Sequence, residues 1–402
     1  MLNRRLLELH SVLRVCLVAL VVSWALWRSP SNASGGGSED PISSYVSTYT
    51  YLVHENYVDS WAGVRVLENA INQLLAEPTQ ETLEDARAAW LSSRESYGQT
   101  EAFRFYGGPI DYFDEEEGME GPEGRMNAWP LDEAYIDYVV GNPSSGIIND
   151  VTIPLTLGGI LLRNQTDDDR NVSTGYHAIE FLLWGQDTSR DTAGTRPFAD
   201  FVAGSSANDR RRLYIKLIMA QLLRDHEFLV KQWAPSQDNY AKEFESLPPK
   251  VALGKILVGV LTLTEFELAS ERLGVPLDSG DPEDEHSCFS DNTHNDFIYN
   301  ARGIENVYFG RYSTYQGIGL DELVQDMDPD LNEKMKLAIR KTGLLLEGIE
   351  APFDRVLASP SESLKRQQAE LAFDSLMRQG QLLKEVGFLF GLDIHSNDGD
   401  LG

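Results

Sequence analysis

His177 and Glu180 are the residues of this sequence whose types and spacing point most directly to chemistry. They stand three positions apart in a short apolar stretch that starts at Gly175. On a helix, residues three apart share one face, so the imidazole and the carboxylate can point toward one ligand. Helix bundles build carboxylate–histidine metal sites with this spacing, and such donors suit iron, manganese, zinc or copper. By spacing alone, however, a structural hydrogen-bonded pair is the commoner outcome.

The histidines do not form the motif of a zinc protease. That motif needs glutamate directly after the first histidine and a second histidine four positions after it. His54 and His226 are each followed by glutamate, but Val58 and Val230 stand where the second histidine is required. The inverted motif, His-x-x-Glu-His, fails at Phe181. The sequence therefore gives peptidase activity little support.

The charge balance limits the classes of partner. The 402 residues include 34 Lys and Arg against 63 Asp and Glu, a formal net charge of −29. Nucleic acid is bound through clustered cations, so we expect no nucleic-acid partner. An acidic surface attracts metal ions and basic ligands, although it more often serves solubility alone.

The first 39 residues differ from the rest and predict export. Arg4, Arg5 and Arg14 precede an apolar run over residues 15–27, and a small, polar, glycine-rich stretch follows at 29–38. This order is typical of a secretory signal, and the run is shorter than the roughly 20 residues that span a bilayer. We interpret residues 1–39 as a signal peptide, or alternatively a retained N-terminal anchor, with a linker. The protein is then expected in the periplasm or cell envelope.

Apolar residues recur at helical spacing through most of the remaining chain. Residues 210–233, 251–273 and 331–357 are the clearest examples. Strand signals, such as short alternating runs joined by Asn-Gly turns, are scarce. The pattern predicts an all-α fold.

The helices are predicted to form two bundles, at residues 40–190 and 205–395. A weak internal similarity between residues 74–83 and 356–364 favours an origin by duplication. In each copy one helix ends, a proline stops it, and a threonine or serine is placed to cap the next. The first bundle carries His177.

The motif Gly175-x-His177-x-x-Glu180 resembles the signature of the imelysin-like family, whose members include an insulin-cleaving membrane protease and iron-regulated envelope proteins. The similarity extends in order along nearly the whole mature chain, and its second half is most similar to the iron-regulated branch. The further matching stretches are residues 100–105, 108–111 and 129–132 of the first half and 285–294 and 303–310 of the second.

This resemblance implies two helical bundles with a cleft between them, to which the His177 helix contributes. Arg104 would then orient or neutralise a carboxylate beside a bound ligand, and Trp129 would form a wall of the cleft. The resemblance also nominates further metal ligands: Glu101, Asp111 and Asp132 from the first half, and Asp291, His294 and Asp296 from the second.

The leading functional hypothesis is a binding protein that captures a metal ion, or a small iron-bearing ligand, in this cleft. Iron is favoured over zinc or copper, and the role would be iron acquisition in the envelope, with a membrane permease or another envelope protein as partner. A second hypothesis is a metallopeptidase, in which metal held by His177 activates water and Glu180 or another acid acts as base. A third is a non-catalytic interaction module, in which the His177–Glu180 pair ties two bundles together.

Overall fold

The first helix shows how local sequence sets the helix boundaries. The computed structural model describes residues 40–116 and 118–396. Asp40 accepts a hydrogen bond from the Ile42 amide at 3.3 Å, and this cap starts a helix that ends at Ala76. Thr79 caps the next helix, and its side chain and that of Thr82 bond reciprocally to each other's backbone amides. The predicted proline stop and threonine cap at this turn are confirmed.

The helices account for nearly all regular structure. Short 3₁₀ turns lie at Glu101–Phe103, Phe198–Phe201 and Pro282–Asp284, and a π-helix spans Leu263–Gly274. The α-helices are α1 (Pro41–Ala76), α2 (Gln80–Thr100), α3 (Glu123–Met126), α4 (Glu133–Ile136), α5 (Gly146–Asn149), α6 (Leu157–Leu161), α7 (Gly175–Trp184), α8 (Ser206–Trp233), α9 (Tyr240–Glu245), α10 (Pro249–Thr262), α11 (Val275–Ser279), α12 (Thr293–Phe309), α13 (Leu320–Met327), α14 (Pro329–Glu347), α15 (Asp354–Leu357) and α16 (Leu364–Leu389).

Sheet structure is limited, in the part of the chain that the structure describes, to two short antiparallel pairs. Strand β1 (Phe113–Asp114) pairs with β2 (Met119–Glu120), and β3 (Arg311–Tyr312) pairs with β4 (Tyr315–Gln316). Each pair only closes a loop between helices. The predicted all-α fold is confirmed.

The long helices pack in two groups that meet along α2 and α12. Helix α1 packs against α2 and α8, whereas α16 packs against α14 and the π-helix. The predicted boundaries place α8 in the C-terminal bundle, but α8 packs on α1 and α7. The chain from Asp40 onward forms one compact unit, so the division into two bundles stays a prediction.

Two of the predicted helical stretches differ in detail from the structure. The stretch 251–273 is α10 continued by the π-helix, and this wider coil carries Glu267 and Arg272. The stretch 331–357 is interrupted, because α14 ends at Glu347 before Gly348 and Pro352. A proline lacks the amide donor that a continuing helix needs.

No helix among residues 40–116 and 118–396 is both long and apolar enough to span a bilayer. The predicted signal or anchor at residues 1–39 lies outside the described residues.

Candidate functional site

Helix α7 places His177 and Glu180 in the protein interior. It begins at Gly175, whose φ of +89° and whose close approach to Met126 leave no room for a side chain. All ten residues of α7 are buried. The His177 Nδ1 atom lies 2.8 Å from Glu180 Oε2, so the shared face that the spacing predicts is present.

Both carboxylate oxygens of Glu180 are occupied by protein partners. Oε2 bonds to His177, and Oε1 accepts hydrogen bonds from the Ser290 amide at 3.0 Å and from the Ser290 hydroxyl at 2.7 Å. Burial raises the pKa of Glu180 to about 8. Burial, and then the charge of His286, lower the pKa of His177 well below its usual value. Both shifts disfavour the charged form, because burial removes the solvation that a charged imidazole or carboxylate needs.

A second imidazole–carboxylate pair lies beside the first. His286 Nδ1 is 2.7 Å from Asp296 Oδ2, which also accepts from the Ser287 hydroxyl at 2.5 Å. The other oxygen, Oδ1, accepts from Arg94 Nη2 at 3.2 Å. Burial by itself would raise the pKa of Asp296, but the charges of Arg94 and His286 hold it well below its usual range. Burial lowers the pKa of His286 to about 4.

The two imidazole rings contact each other edge to face. Their centroids are 4.6 Å apart, with an angle of 71° between the ring planes. The Nε2 atoms of His177 and His286 are buried, and neither has a hydrogen-bond partner among the described residues. Histidines that ligate metals usually donate their other ring N–H to a carboxylate, which fixes the ring and frees one lone pair. We call His177, Glu180, His286 and Asp296 the imidazole site.

Glu101 is buried near the imidazole site but is taken up by cations. Its Oε2 atom accepts from Arg104 at 2.7 Å and from Arg272 at 2.9 Å, and its Oε1 atom accepts from Asn127 at 3.3 Å. Burial would raise its pKa, but the charges of Arg104 and Arg272 lower it to about 2. Glu101 therefore anchors two buried arginines, and its contacts are not those of a carboxylate held free for a metal.

The other nominated residues are spread over several places. Asp111 accepts from the backbone amides of Phe105 and Gly108. Asp132 is exposed and caps α4 by accepting from the Ala134 amide at 3.0 Å. Of the residues nominated from the second half, Asp296 belongs to the imidazole site.

Asp291 and His294 have other surroundings. Asp291 lies beside Asp187 and Asp354. His294 is half-buried on the first turn of α12, and burial lowers its pKa. The nominated set thus falls into separate clusters instead of one coordination shell.

A cavity of about 750 Å³ opens next to the imidazole site. It takes its walls from both halves of the chain, among them Arg104 and Trp129 from the first half and Glu267 and Asp284 from the second. The edge of Trp129 packs against the His286 ring, with centroids 5.0 Å apart. Trp129 thus lies between the cavity and His286, and no residue of α7 lines the cavity.

His286 is the main residue that sequence reasoning missed. It stands within the family-like stretch 285–294, where Asp291 and His294 were nominated in its place. Its partner Asp296 is ten positions away, a separation that no helix or turn rule brings together. Ser290 was missed for the same reason, since its contact with Glu180 joins distant segments.

Comparison with known proteins supports the resemblance. The family model described as Imelysin matches residues 53–383. Iron-regulated protein A of Synechococcus elongatus is 29% identical over 342 residues, covering 82% of this chain and 82% of that protein.

Two solved structures share the fold. A protein from Parabacteroides distasonis, described as an iron-regulated protein A precursor, matches with a TM-score of 0.66 at 20% identity, over 89% of this chain and 98% of that one. An imelysin-like protein from Psychrobacter arcticum matches with a TM-score of 0.63 at 12% identity, over 90% of this chain and 100% of that one. Because the family model covers most of the chain, the protein belongs to the imelysin family.

Proposed function

We propose that this protein binds a transition-metal ion, with iron as the leading candidate, through the Nε2 atoms of His177 and His286. The observation that carries the proposal is the pair of buried imidazoles in edge-to-face contact. Their Nδ1 atoms each meet a carboxyl group, and their Nε2 atoms have no partner among the described residues. The role would be metal acquisition or handling in the cell envelope.

The unpaired nitrogens favour a ligand over a purely structural role. A buried polar atom without a hydrogen bond costs about 1–3 kcal/mol, and here two such atoms belong to rings in contact. The lowered pKa values keep both imidazoles neutral at pH 7, which is the form that donates a lone pair to a metal. The carboxylate at each Nδ1 would orient the ring and raise its basicity.

Two further observations favour iron and the envelope. Imidazole suits iron, copper and zinc, so donor chemistry alone does not select among them. The relative from Synechococcus elongatus is named Iron-regulated protein A, and the N-terminal 39 residues have the pattern of an export signal.

Two imidazoles do not complete a coordination shell. Water or a small iron-bearing ligand, entering from the cavity behind Trp129, would supply the rest.

The geometry of Glu180 does not favour the metallopeptidase alternative. A general base needs a free carboxylate oxygen within reach of the water that it deprotonates. Both oxygens of Glu180 already have protein partners. The role that these contacts support is the positioning of His177.

The test is the metal content of the full chain after incubation with Fe²⁺, Fe³⁺, Zn²⁺ or Cu²⁺ and desalting, measured by mass spectrometry. We expect near-stoichiometric metal in the wild type and its loss in both His177→Ala and His286→Ala. The matched control is His395→Ala, because His395 is exposed and its loss should leave metal content unchanged. Circular dichroism checks that all variants remain helical.

The outcome that would contradict the proposal is equally definite. Wild-type protein that retains no metal, or His177→Ala and His286→Ala variants that retain as much as the wild type, would exclude the imidazoles as ligands. If only His177→Ala loses metal, the protein has a metal site but His286 is not one of its ligands.

A further inference from the structure

A group of three acids includes Asp291, which lies five residues after His286. Asp187 follows α7, Asp291 precedes α12, and Asp354 opens α15. One carboxylate oxygen from each lies within 4.8 Å of the others. Oxygens on opposite sides of a Ca²⁺ ion, at about 2.4 Å from it, would be ~4.8 Å apart, so the spacing fits a single ion.

Glu285 is a second, independent indication of a ligand at this place. Its side chain is only 2% exposed, and neither carboxylate oxygen has a hydrogen-bond partner among the described residues. The Thr293 hydroxyl lies near enough to lower its pKa but forms no hydrogen bond of acceptable geometry with it. The charges of Asp354, Asp291 and Asp187 all act on Glu285, so its carboxyl group lies near theirs.

The protein supplies little positive charge to these four carboxyl groups. Burial, and then the charges of Asp187 and Asp354, raise the pKa of Asp291 to about 8. Burial, followed by the charge of Asp187, raises the pKa of Asp354 to about 6. Arg190 lowers the latter pKa only weakly. Buried carboxylates are normally matched by cations or protons, but the charges that act most strongly on Asp291, Asp354 and Glu285 are those of neighbouring carboxyl groups.

We propose that Asp187, Glu285, Asp291 and Asp354 bind a hard divalent cation, Ca²⁺ in preference to a transition metal. An all-carboxylate set of oxygen donors is the ligand type that Ca²⁺ takes in proteins, whereas the imidazole nitrogens of His177 and His286 suit softer ions. The site is separate from the imidazole site and its test does not depend on that proposal.

The cation would join three distant segments of the chain. Glu285 directly precedes His286, and Asp291 directly follows Ser290, which bonds to Glu180. Binding would therefore hold both ends of the loop that supplies the second imidazole. If the imidazoles bind metal as proposed above, Ca²⁺ would support that loop without touching the transition metal.

The experiment uses the full chain, stripped of metal with a chelator and kept at pH 7.5 in salt with excess Mg²⁺. Isothermal titration calorimetry with Ca²⁺ should detect about one site. At Ca²⁺ concentrations near 100 times Kd, the Tm should rise by about 3–4 °C. Asp291→Asn and Glu285→Gln should each weaken Ca²⁺ binding at least about tenfold, because each removes a charged ligand.

Asp326→Asn is the matched control, since Asp326 is an exposed acid elsewhere on the surface. It should bind Ca²⁺ like the wild type. The proposal is overturned if wild-type protein shows neither a binding heat nor a Tm shift. It is also overturned if Asp291→Asn and Glu285→Gln respond to Ca²⁺ as strongly as Asp326→Asn, because that result would mean non-specific attraction to an acidic surface.

Discussion

The two faces of helix α7 lie against buried histidines that differ in their hydrogen bonding. On one face, Tyr176 contacts His226, whose Nδ1 atom bonds to the Leu222 carbonyl at 2.8 Å. The His226 Nε2 atom lies 3.0 Å from the Ser60 hydroxyl. On the other face, His177 meets His286, and the Nε2 atoms of both rings lack partners.

The difference teaches which property marks a candidate site. Burial lowers the pKa of His226 and of His286 alike to about 4, so neither burial nor the pKa distinguishes them. What distinguishes them is the completeness of their hydrogen bonds. His226 has a partner at each ring nitrogen and is part of the core, whereas His177 and His286 keep one nitrogen each for a ligand.

The largest expected effect is on stability, and it comes from a substitution of His226. His226→Ala should lower the free energy of unfolding by about 3–5 kcal/mol, because it opens a cavity and removes a hydrogen-bond partner of the buried Ser60 and Tyr176 hydroxyls. Urea denaturation measures the loss, with His395→Ala as the exposed control. A loss below ~1 kcal/mol would mean that His226 is not the structural histidine of the pair.

The pH dependence of stability should carry the His226 signature. The pKa of His226 is about 4 in the folded protein against 6.5 ordinarily, so between these values the unfolded chain holds more protons. Stability should therefore fall as the pH falls from about 6.5 to about 4, by up to ~3 kcal/mol from this residue. Denaturation curves of wild type and His226→Gln across this range isolate the contribution. Parallel pH profiles for the two proteins would contradict it.

On the other face, the expected effect is on metal affinity. His286→Ala should weaken binding on the order of 100-fold, or ~2.7 kcal/mol, because it removes one of two imidazole donors. His226→Gln should leave the affinity nearly unchanged. Competition titration with a chromogenic chelator measures both. Equal losses in the two variants would mean that the faces do not differ in function.

Substitution of Glu180, the hydrogen-bond partner of His177, should have a smaller effect on metal affinity. Glu180→Gln keeps the side-chain shape, and its amide oxygen can still accept from Ser290. The amide NH₂ group then meets His177 Nδ1 as a donor, so Nδ1 loses the carboxylate that accepts from it. We expect about tenfold weaker metal binding, or ~1.4 kcal/mol, by the same titration. An unchanged affinity would make Glu180 a packing residue only.

The smallest effect is expected at Asp132, which the family resemblance nominates as a ligand. Asp132 is exposed and caps a four-residue helix. Asp132→Asn should leave metal affinity unchanged and alter stability by no more than ~0.5 kcal/mol, since asparagine also caps helices well. A marked loss of metal in this variant would restore Asp132 to the ligand set.

Features governed by neighbouring residues could be predicted from sequence. Thr79 caps α2, and Ser363 caps α16 by accepting from the Arg366 amide, as the two matching proline turns predict. The all-α fold and the His177–Glu180 contact depend only on helical periodicity. The π-helix could not be predicted, because the apolar pattern of residues 251–273 fits an α-helix and a π-helix alike. The network around Glu101 was also missed, since Arg272 reaches it from that π-helix.

The sequence by itself determined the helices, their caps, the acidic charge and the adjacency of His177 and Glu180, because each depends on residues a few positions apart. Only the tertiary structure decided that His286 faces His177, that Glu101 is paired with arginines, and that Asp291 joins Asp187 and Asp354. These groupings join segments far apart in the chain. They arise when helices bury their apolar faces against one another, and spacing along the sequence carries no record of which polar groups then meet.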